Sequence, residues 1–372
     1  MKKYILSIVE TLLRKKRYFK YSRRFRTLLA EQHIVNRKAP GEDDYVAFWK
    51  QISPCVEPYS YRFYRSFCGD SKYIVPEDIG HSFIETRLNP IRYTPYYEDK
   101  NMLPVILPAG SVSPTILCRM HGGTIMSGDF TPLSDNELLT DVGLSKIARV
   151  DELILKPSID SNSGNGVTKF ILRDNKYLSS DGTHVLDGKY LLQYGKDWVL
   201  QEAIHQHSIM NQFCSTAVNT IRVNMYRSVV DEQVYVVSAA LRIAKNGSIV
   251  DNGHAGGGLV HVDLVTGELG HEVVNQRGDR FPIFNGVDFL AQTYRLPDWV
   301  KIKDFCRNIA TYNHHCRLIA LDVALKKDGH PILIEWNIAP YSFSYWIPML
   351  TGVVPFGDKT EEIVKYCVQC NV

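Results

Sequence analysis

The 372-residue chain is 45% hydrophobic and 22% charged, which excludes long disorder and fits a globular α/β or α+β protein of two or three packed lobes. Its net charge of +3 is unevenly spread: ten of the 43 Lys and Arg lie in residues 1–26, where Glu10 is the sole acid, leaving 33 basic against 39 acidic groups elsewhere. A mildly acidic body without a recognisable binding motif argues against nucleic acid as a partner.

Residues 1–38 read as a basic amphipathic helix. Its tip, MKKYILSIVETLLRKKRYFKYSRRFR, is too short and too charged to span a bilayer, and Glu10 with the RKKR run denies it the apolar stretch of a signal peptide. Ile5, Leu6, Val9, Leu12 and Leu13 fall at helical spacing, which fits a helix lying on the protein's own core or on an anionic membrane surface. Residues 39–98 form a helical, aromatic-rich region that ends in the Pro- and Asn-rich hinge NPIRYTPYYEDKN at 89–101. After Pro114, short β-branched runs separated by Gly, Asp and Asn turns mark antiparallel sheet. Strands are expected near 115–120, 152–157, 167–172, 197–202, 218–227, 233–244, 258–265, 317–325 and 331–337, with helices near 134–148 and 300–315. The eight scattered cysteines read as reduced thiols of a cytoplasmic protein; the CxxC at Cys367 and Cys370 lacks the second ligand pair that zinc requires. His314 and His315 read as ordinary surface histidines.

The stretch LIALDVALKKDGHPILIEWN at 318–337 carries the most chemistry. Asp328-Gly329 between two apolar runs is a two-residue hairpin signal. With that turn, Lys327 faces His330 and Asp322 faces Glu335. Leu321, Val323, Leu325, Ile332, Ile334 and Trp336 then share the greasy face, while Asp322, Glu335 and Asn337 share the polar one. Two carboxylates at about 4 Å repel by roughly 4 kcal/mol at an effective dielectric of about 20. A divalent cation offsets this, and two carboxylates with an amide oxygen suit hard Mg²⁺. The alternatives are acids that relax into solvent, or one acid bonded to a lysine.

Lys156 closes the run LILK and points opposite to Leu153 and Leu155. The loop after it offers Ser158, Ser161, Ser163, Gly164 and Gly166, small residues that let backbone N–H groups approach an anion. It is not a Walker loop, since GK[ST] is absent and a strand follows. A flap over a triphosphate and a plain surface hairpin both fit.

In chain order, the lysine, the loop, DWVLQEAI at 197–204 and the D-x12-E-x-N hairpin resemble the ATP-grasp superfamily over residues 99–340. DKN at 99–101, PTILCR at 114–119, LKPSIDSNSGNGV at 155–167, NTIRV at 219–223, RIAKNGSIVDNGHAGGG at 242–258 and LIEWN at 333–337 resemble, more closely, the sugar-transfer-associated ATP-grasp proteins encoded among surface-polysaccharide genes.

The resemblance implies an α+β ATP-grasp fold, with residues 99–200 and 201–372 as two subdomains that clamp ATP behind a mainly helical N-terminal region. It implies that Lys100 and Lys156 hold the α- and β-phosphates, that the flap with Ser163, Gly164 and Gly166 closes on them, and that Gln201, Glu202 and Ile204 meet adenine and ribose. Asp322, Glu335 and Asn337 match the magnesium ligands. NTIRVNMYR alternates, so Thr220, Arg222 and Asn224 share a face. Arg222 and Arg242 are candidates to hold a carboxylate or the transferring phosphoryl group, with surface salt bridging as the plain alternative. Asn252 and the loop 253–258 could close over an acceptor or simply connect two strands. Two departures stand out. Ala320 occupies the position two residues before the first metal aspartate, where many ATP-grasp ligases carry a catalytic arginine. Residues 1–98 lack a strand-and-Gly-turn start, so helices replace the usual preceding lobe.

The expected activity is that of a carboxylate–amine (or hydroxyl) ligase using ATP and Mg²⁺. It would join a sugar or sugar acid to an amino acid or similar group, in the cytoplasm and at the inner membrane face. A sugar kinase and a non-catalytic nucleotide-binding partner of a glycosyltransferase are the rival readings.

Overall fold

Apolar residues at positions 21, 25, 28 and 29 recur at helical spacing, and they anchor a single long helix, α1 (Lys2–Glu31), through buried Tyr21, Phe25, Leu28 and Leu29. The computed structural model describes residues 2–108, 112–133, 150–159, 164–251, 256–339 and 341–370. The helix expected at 134–148 lies outside the described residues. So does Ser163, and so does Asn252. Leu12, from the apolar set singled out in the sequence, is exposed at 60%.

The other main helices are α2 (Glu42–Trp49), α3 (Tyr59–Cys68), α4 (Gly188–Tyr194), α5 (Ser208–Phe213), α6 (Trp299–Thr311), α7 (Trp346–Leu350) and α8 (Thr360–Gln369). Helical turns fill much of 77–106, including a π-helical segment at Gly80–Ile84. Among the described residues no helix is long and apolar enough to cross a membrane.

Two antiparallel sheets form the body. The first is built from β1 (Ile116–His121), β2 (Thr124–Ser127), β3 (Glu152–Pro157), β4 (Thr168–Arg173), β5 (Lys176–Ser179) and β6 (Trp198–Glu202), in the order β2-β1-β6-β3-β4-β5. The second contains β7 (Thr220–Arg227), β8 (Val234–Ile243), β9 (Gly258–His261), β10 (Val273–Val274), β11 (Arg280–Phe281), β14 (Leu318–Leu325) and β15 (Pro331–Asn337), in the order β11-β10-β9-β8-β7-β14-β15. A small hairpin, β12 (Ile283–Phe284) and β13 (Val287–Asp288), stands apart.

Every residue of β14 is buried, and so is every residue of β7 except Arg227. One face packs on α6, whose Trp299, Ile302, Cys306, Ile309 and Ala310 turn inward behind an Asp298 cap that accepts from Lys301 N–H. The other face, through Tyr226, Leu318 and Ala320, joins the core of α1–α3, α7 and α8. The N-terminal helices thus cover the back of the second sheet. This is why polar Arg222, Asn224 and Asp322 are buried.

The hairpin 318–337 pairs Asp322 with Glu335 as the alternation implies, but by a different route. The loop is longer than two residues: Lys326 N–H bonds His330 O, and Gly329 N–H bonds Lys326 O with Gly329 at φ 79°. That moves the near end by one residue, pairing Val323 with Leu333 and Leu325 with Pro331. An irregularity at Ile334 restores the register before Glu335. Leu333, not Ile332, therefore enters the main core, and Ile334 turns to the polar side, where it lines a cavity. His314 and His315 are exposed, as the sequence reading has it, but neither is in the helix. His315 lies beyond the end of α6, its ring stacks on Tyr93 at 3.9 Å, and it shares a 2.8 Å hydrogen bond with the Tyr97 hydroxyl.

Candidate functional site

The sheets face each other across a cleft, and the side chains singled out in the sequence meet there. Leu153 and Leu155 enter the core of the first sheet, so the alternation of β3 turns Ile154 and Lys156 outward. Lys156 is only 7% exposed. Burial and the neighbouring Lys100 lower its ammonium to about 8, against the opposing pull of Glu335. Lys100 sits in the turn before a short helix at Leu103–Ile106; its N–H bonds Ser158 O at 3.0 Å and its ammonium lies 3.3 Å from Glu335.

A cavity of about 160 Å³ is walled by Lys100, Lys156, Gly164, Gln201, Ile204, Arg242, Asp322 and Glu335 together with apolar side chains. Next to it, and sharing Ile154, Ile204, Val218 and Ile249 as walls, is a larger cavity of about 1230 Å³ that Glu202 also lines. Apolar walls leading into a charged end suit a flat heterocycle carrying an anionic tail. Gly164, at φ 71°, lets the loop approach the second lobe: a Cβ there would lie 2.9 Å from a Val250 methyl. Gly166 is set back, against Pro157 and Tyr194.

Asp322 is the hub of the charged end. Arg222 donates to it twice, at 2.5 Å to Oδ1 and 3.0 Å to Oδ2, and Arg242 donates to Oδ2 at 2.7 Å. Burial raises the Asp322 carboxyl, but the two guanidinium groups outweigh it and bring it to about 2. Neither arginine is a surface salt bridge; Arg222 is 6% exposed. Arg242 extends the chain to Asp251 at 2.9 Å, and Asp251 in turn accepts from Thr220 N–H and hydroxyl. Burial raises the Asp251 carboxyl against the pull of Arg242. Asp251 escaped the sequence reading because DNG at 251–253 reads as a turn. Its one clue was its place within the motif that also contains Arg242.

The repulsion expected between Asp322 and Glu335 is thus offset by side chains, two arginines on one acid and Lys100 on the other. The set still fits a hard cation: Glu335 is 31% exposed, Asp322 Oδ1 accepts one hydrogen bond among the described residues, and Asn337 directs its amide nitrogen at Ala320 O and Asp322, leaving its oxygen as a donor atom. Among the described residues no three His, Cys, Asp or Glu side chains gather as a metal site, so two carboxylates and an amide are the available set.

With two antiparallel sheets facing each other across this cleft, the fold is that of an ATP-grasp protein. Within that class, the chain belongs to the sugar-transfer associated ATP-grasp family, whose model matches residues 81–354. Among solved structures it is similar to the D-cycloserine synthetase DcsG, with 12% identity, a TM-score of 0.39, and coverage of 76% of this chain and 73% of that one. It is also similar to D-alanyl-alanine synthetase A from Vibrio cholerae O1 biovar eltor, with 11% identity, a TM-score of 0.39, and coverage of 76% and 67%. A third likeness is to an L-amino acid ligase from Bacillus licheniformis, with 11% identity, a TM-score of 0.34, and coverage of 72% and 44%. No curated protein matches the sequence. The structural likenesses are distant, and the family assignment rests on the family match.

Proposed function

We propose that the protein is an ATP-dependent ligase that activates a carboxylate as an acyl phosphate and joins it to an amine or hydroxyl, with a sugar or sugar acid as one partner. The observation that carries this is the convergence of Lys100, Lys156, Asp322 and Glu335 on one cavity between two lobes. Lys100 and Lys156 hold the α- and β-phosphates, and the flap with Ser163, Gly164 and Gly166 covers them. Gln201, Glu202 and Ile204 meet adenine and ribose beside the larger cavity. Asp322, Glu335 and Asn337 hold magnesium, which supplies charge neutralisation to the phosphate oxygens.

Arg222 and Arg242 adjoin Asp322 and face the charge that builds on the transferring phosphoryl group. They take the part that Ala320, buried and without a donor, does not play. The acceptor carboxylate attacks the γ-phosphorus in line, ADP leaves, and the amine or hydroxyl then displaces phosphate from the acyl phosphate. Asn252 belongs to the loop proposed to close over the acceptor. The sugar partner is suggested by the family's description. The exposed basic residues Lys16, Lys20 and Arg23 of α1, set around exposed Phe19, support peripheral contact with an anionic membrane at its cytoplasmic face.

The test is calorimetric titration of Mg·ATP into wild type and Lys156→Ala. Binding that collapses in the variant supports the site, and sugar acids and amino acids are then screened for release of ADP and phosphate. ADP with a phosphorylated sugar and no free phosphate would indicate the kinase. Mg·ATP binding without turnover of any acceptor would favour the non-catalytic nucleotide-binding partner, and no binding by wild type would refute the nucleotide site.

A further inference from the structure

Arg119 in β1 has no exposed surface, and among the described residues no carboxylate pairs with it. A guanidinium buried without an ion partner is costly unless its donors are met. Two of them are. Nη1 donates to Asn101 O and Nη2 to Gly128 O, each at 2.7 Å, while the Phe130 ring lies against the guanidinium with its centroid 3.8 Å away. Among the described residues Nε has no hydrogen-bond partner. Phe130 adopts φ 68°, a conformation a non-glycine residue holds only where its surroundings enforce it.

Asn101 is the neighbour of Lys100. The turn 99–101 is fixed at three points: Asn101 N–H bonds the Asp99 side chain at 2.9 Å, Lys100 N–H bonds Ser158 O at the lip of the flap, and Asn101 O takes the Arg119 bond. Arg119 also pairs with Val199, which on its other side pairs with Lys156. The three share one face of adjacent strands, two strand spacings or about 10 Å across. Arg119 therefore bridges the backbone that carries one cavity lysine from the face that carries the other.

We infer that Arg119 is a positioning residue that holds the Lys100 turn at the distance from Lys156 that a nucleotide polyphosphate requires, a role that rests on the ligase reading above. Arg119 lines neither of the two cavities. Its planar fork sets two Nη donors on two carbonyls in a fixed geometry that the compact lysine ammonium on its flexible stem does not reproduce.

The experiment measures Mg·ATP by calorimetry and adenosine by ligand-observed NMR, in wild type, Lys100→Met, Arg119→Lys, Arg119→Met and Phe130→Leu, with a melting curve for each. Loss of one charge-assisted contact to a polyphosphate corresponds to about tenfold in affinity. Arg119→Met is expected to weaken Mg·ATP by about that factor, matching Lys100→Met, while adenosine binding stays as in wild type. Arg119→Lys should fail to rescue, and Phe130→Leu should shift affinity in the same direction by less. Unchanged Mg·ATP affinity in folded Arg119 variants, or full rescue by lysine, overturns the inference. So does equal loss of adenosine and ATP binding, which marks a merely structural role. Should both Arg119 variants fail to fold, Phe130→Leu decides: selective loss of ATP supports the inference, and unchanged ATP affinity refutes it. Wild type that binds no Mg·ATP defeats the ligase reading instead, a result distinct from any of these.

Discussion

At the scale of single residues, charge compensation decides which variants are informative. Asp322 neutralises buried Arg222 and shares Arg242 with Asp251, so Asp322→Asn strands Arg222 and is expected to destabilise the protein by about 3–5 kcal/mol as well as abolish turnover. Glu335 is part-exposed and its ion pair is with Lys100, so Glu335→Gln is expected to abolish turnover with a melting temperature close to wild type. Wild-type rates in Glu335→Gln would refute the metal role. Lys156 gives a pH signature. Its folded value of about 8 lies below its ordinary 10.5, so the empty protein gains stability as pH rises between those values, where the unfolded chain binds the extra proton. Nucleotide binding needs the charged form, so Mg·ATP affinity should fall as pH rises through about 8. Above that, where the free lysine is neutral, binding should take up protons, read as a dependence of the calorimetric heat on buffer ionisation. A flat affinity across that range would show that Lys156 contacts no phosphate.

Among the elements, α1 presents two distinct faces. Tyr21, Phe25, Leu28 and Leu29 bury into the helical layer, and Arg24 pairs with buried Glu77 at 2.7 Å, so the helix is a structural part of the fold. The opposite face exposes Leu12, Lys16, Phe19, Lys20 and Arg23, with Arg277 nearby. Each cation near an anionic bilayer contributes about 1 kcal/mol. Lys16→Glu with Lys20→Glu and Arg23→Glu should abolish co-sedimentation with anionic vesicles at physiological salt and leave Mg·ATP affinity unchanged. Binding that survives the charge reversal would refute membrane docking by this face, and selective retention of RNA by wild type would favour a polyanion other than lipid.

For the whole molecule, the helical layer and the second sheet are one unit. Tyr226, Leu318 and Ala320 of the sheet sit in the same core as Phe25, Tyr45, Trp49 and Tyr64. A fragment of residues 99–372 would expose that face, and it should be insoluble or bind a hydrophobic dye strongly. A soluble, cooperatively melting fragment would mean that the layer is an appended domain. The same arrangement explains the site's electrostatics: with both faces of β7 and β14 covered, Arg222 and Asp322 lie out of water and interact strongly.

Much of this was legible in the chain itself because it is local. Alternation of apolar residues located β3, β7, β8, β14 and β15, and turned Lys156 and Asp322 away from the greasy faces. The pairing of Asp322 with Glu335 could be read from the turn residues, although a longer loop and a compensating irregularity at Ile334 deliver it. What alternation cannot report is which faces other elements cover. The burial of Arg222, the sharing of Asp322 between Arg222 and Arg242, the recruitment of Asp251, and the hold of Arg119 on the Lys100 turn all join residues far apart in the chain. Strand periodicity determined the directions of Lys156, Arg222 and Asp322. Tertiary packing alone determined their partners, because it fixes which charges are taken out of water together.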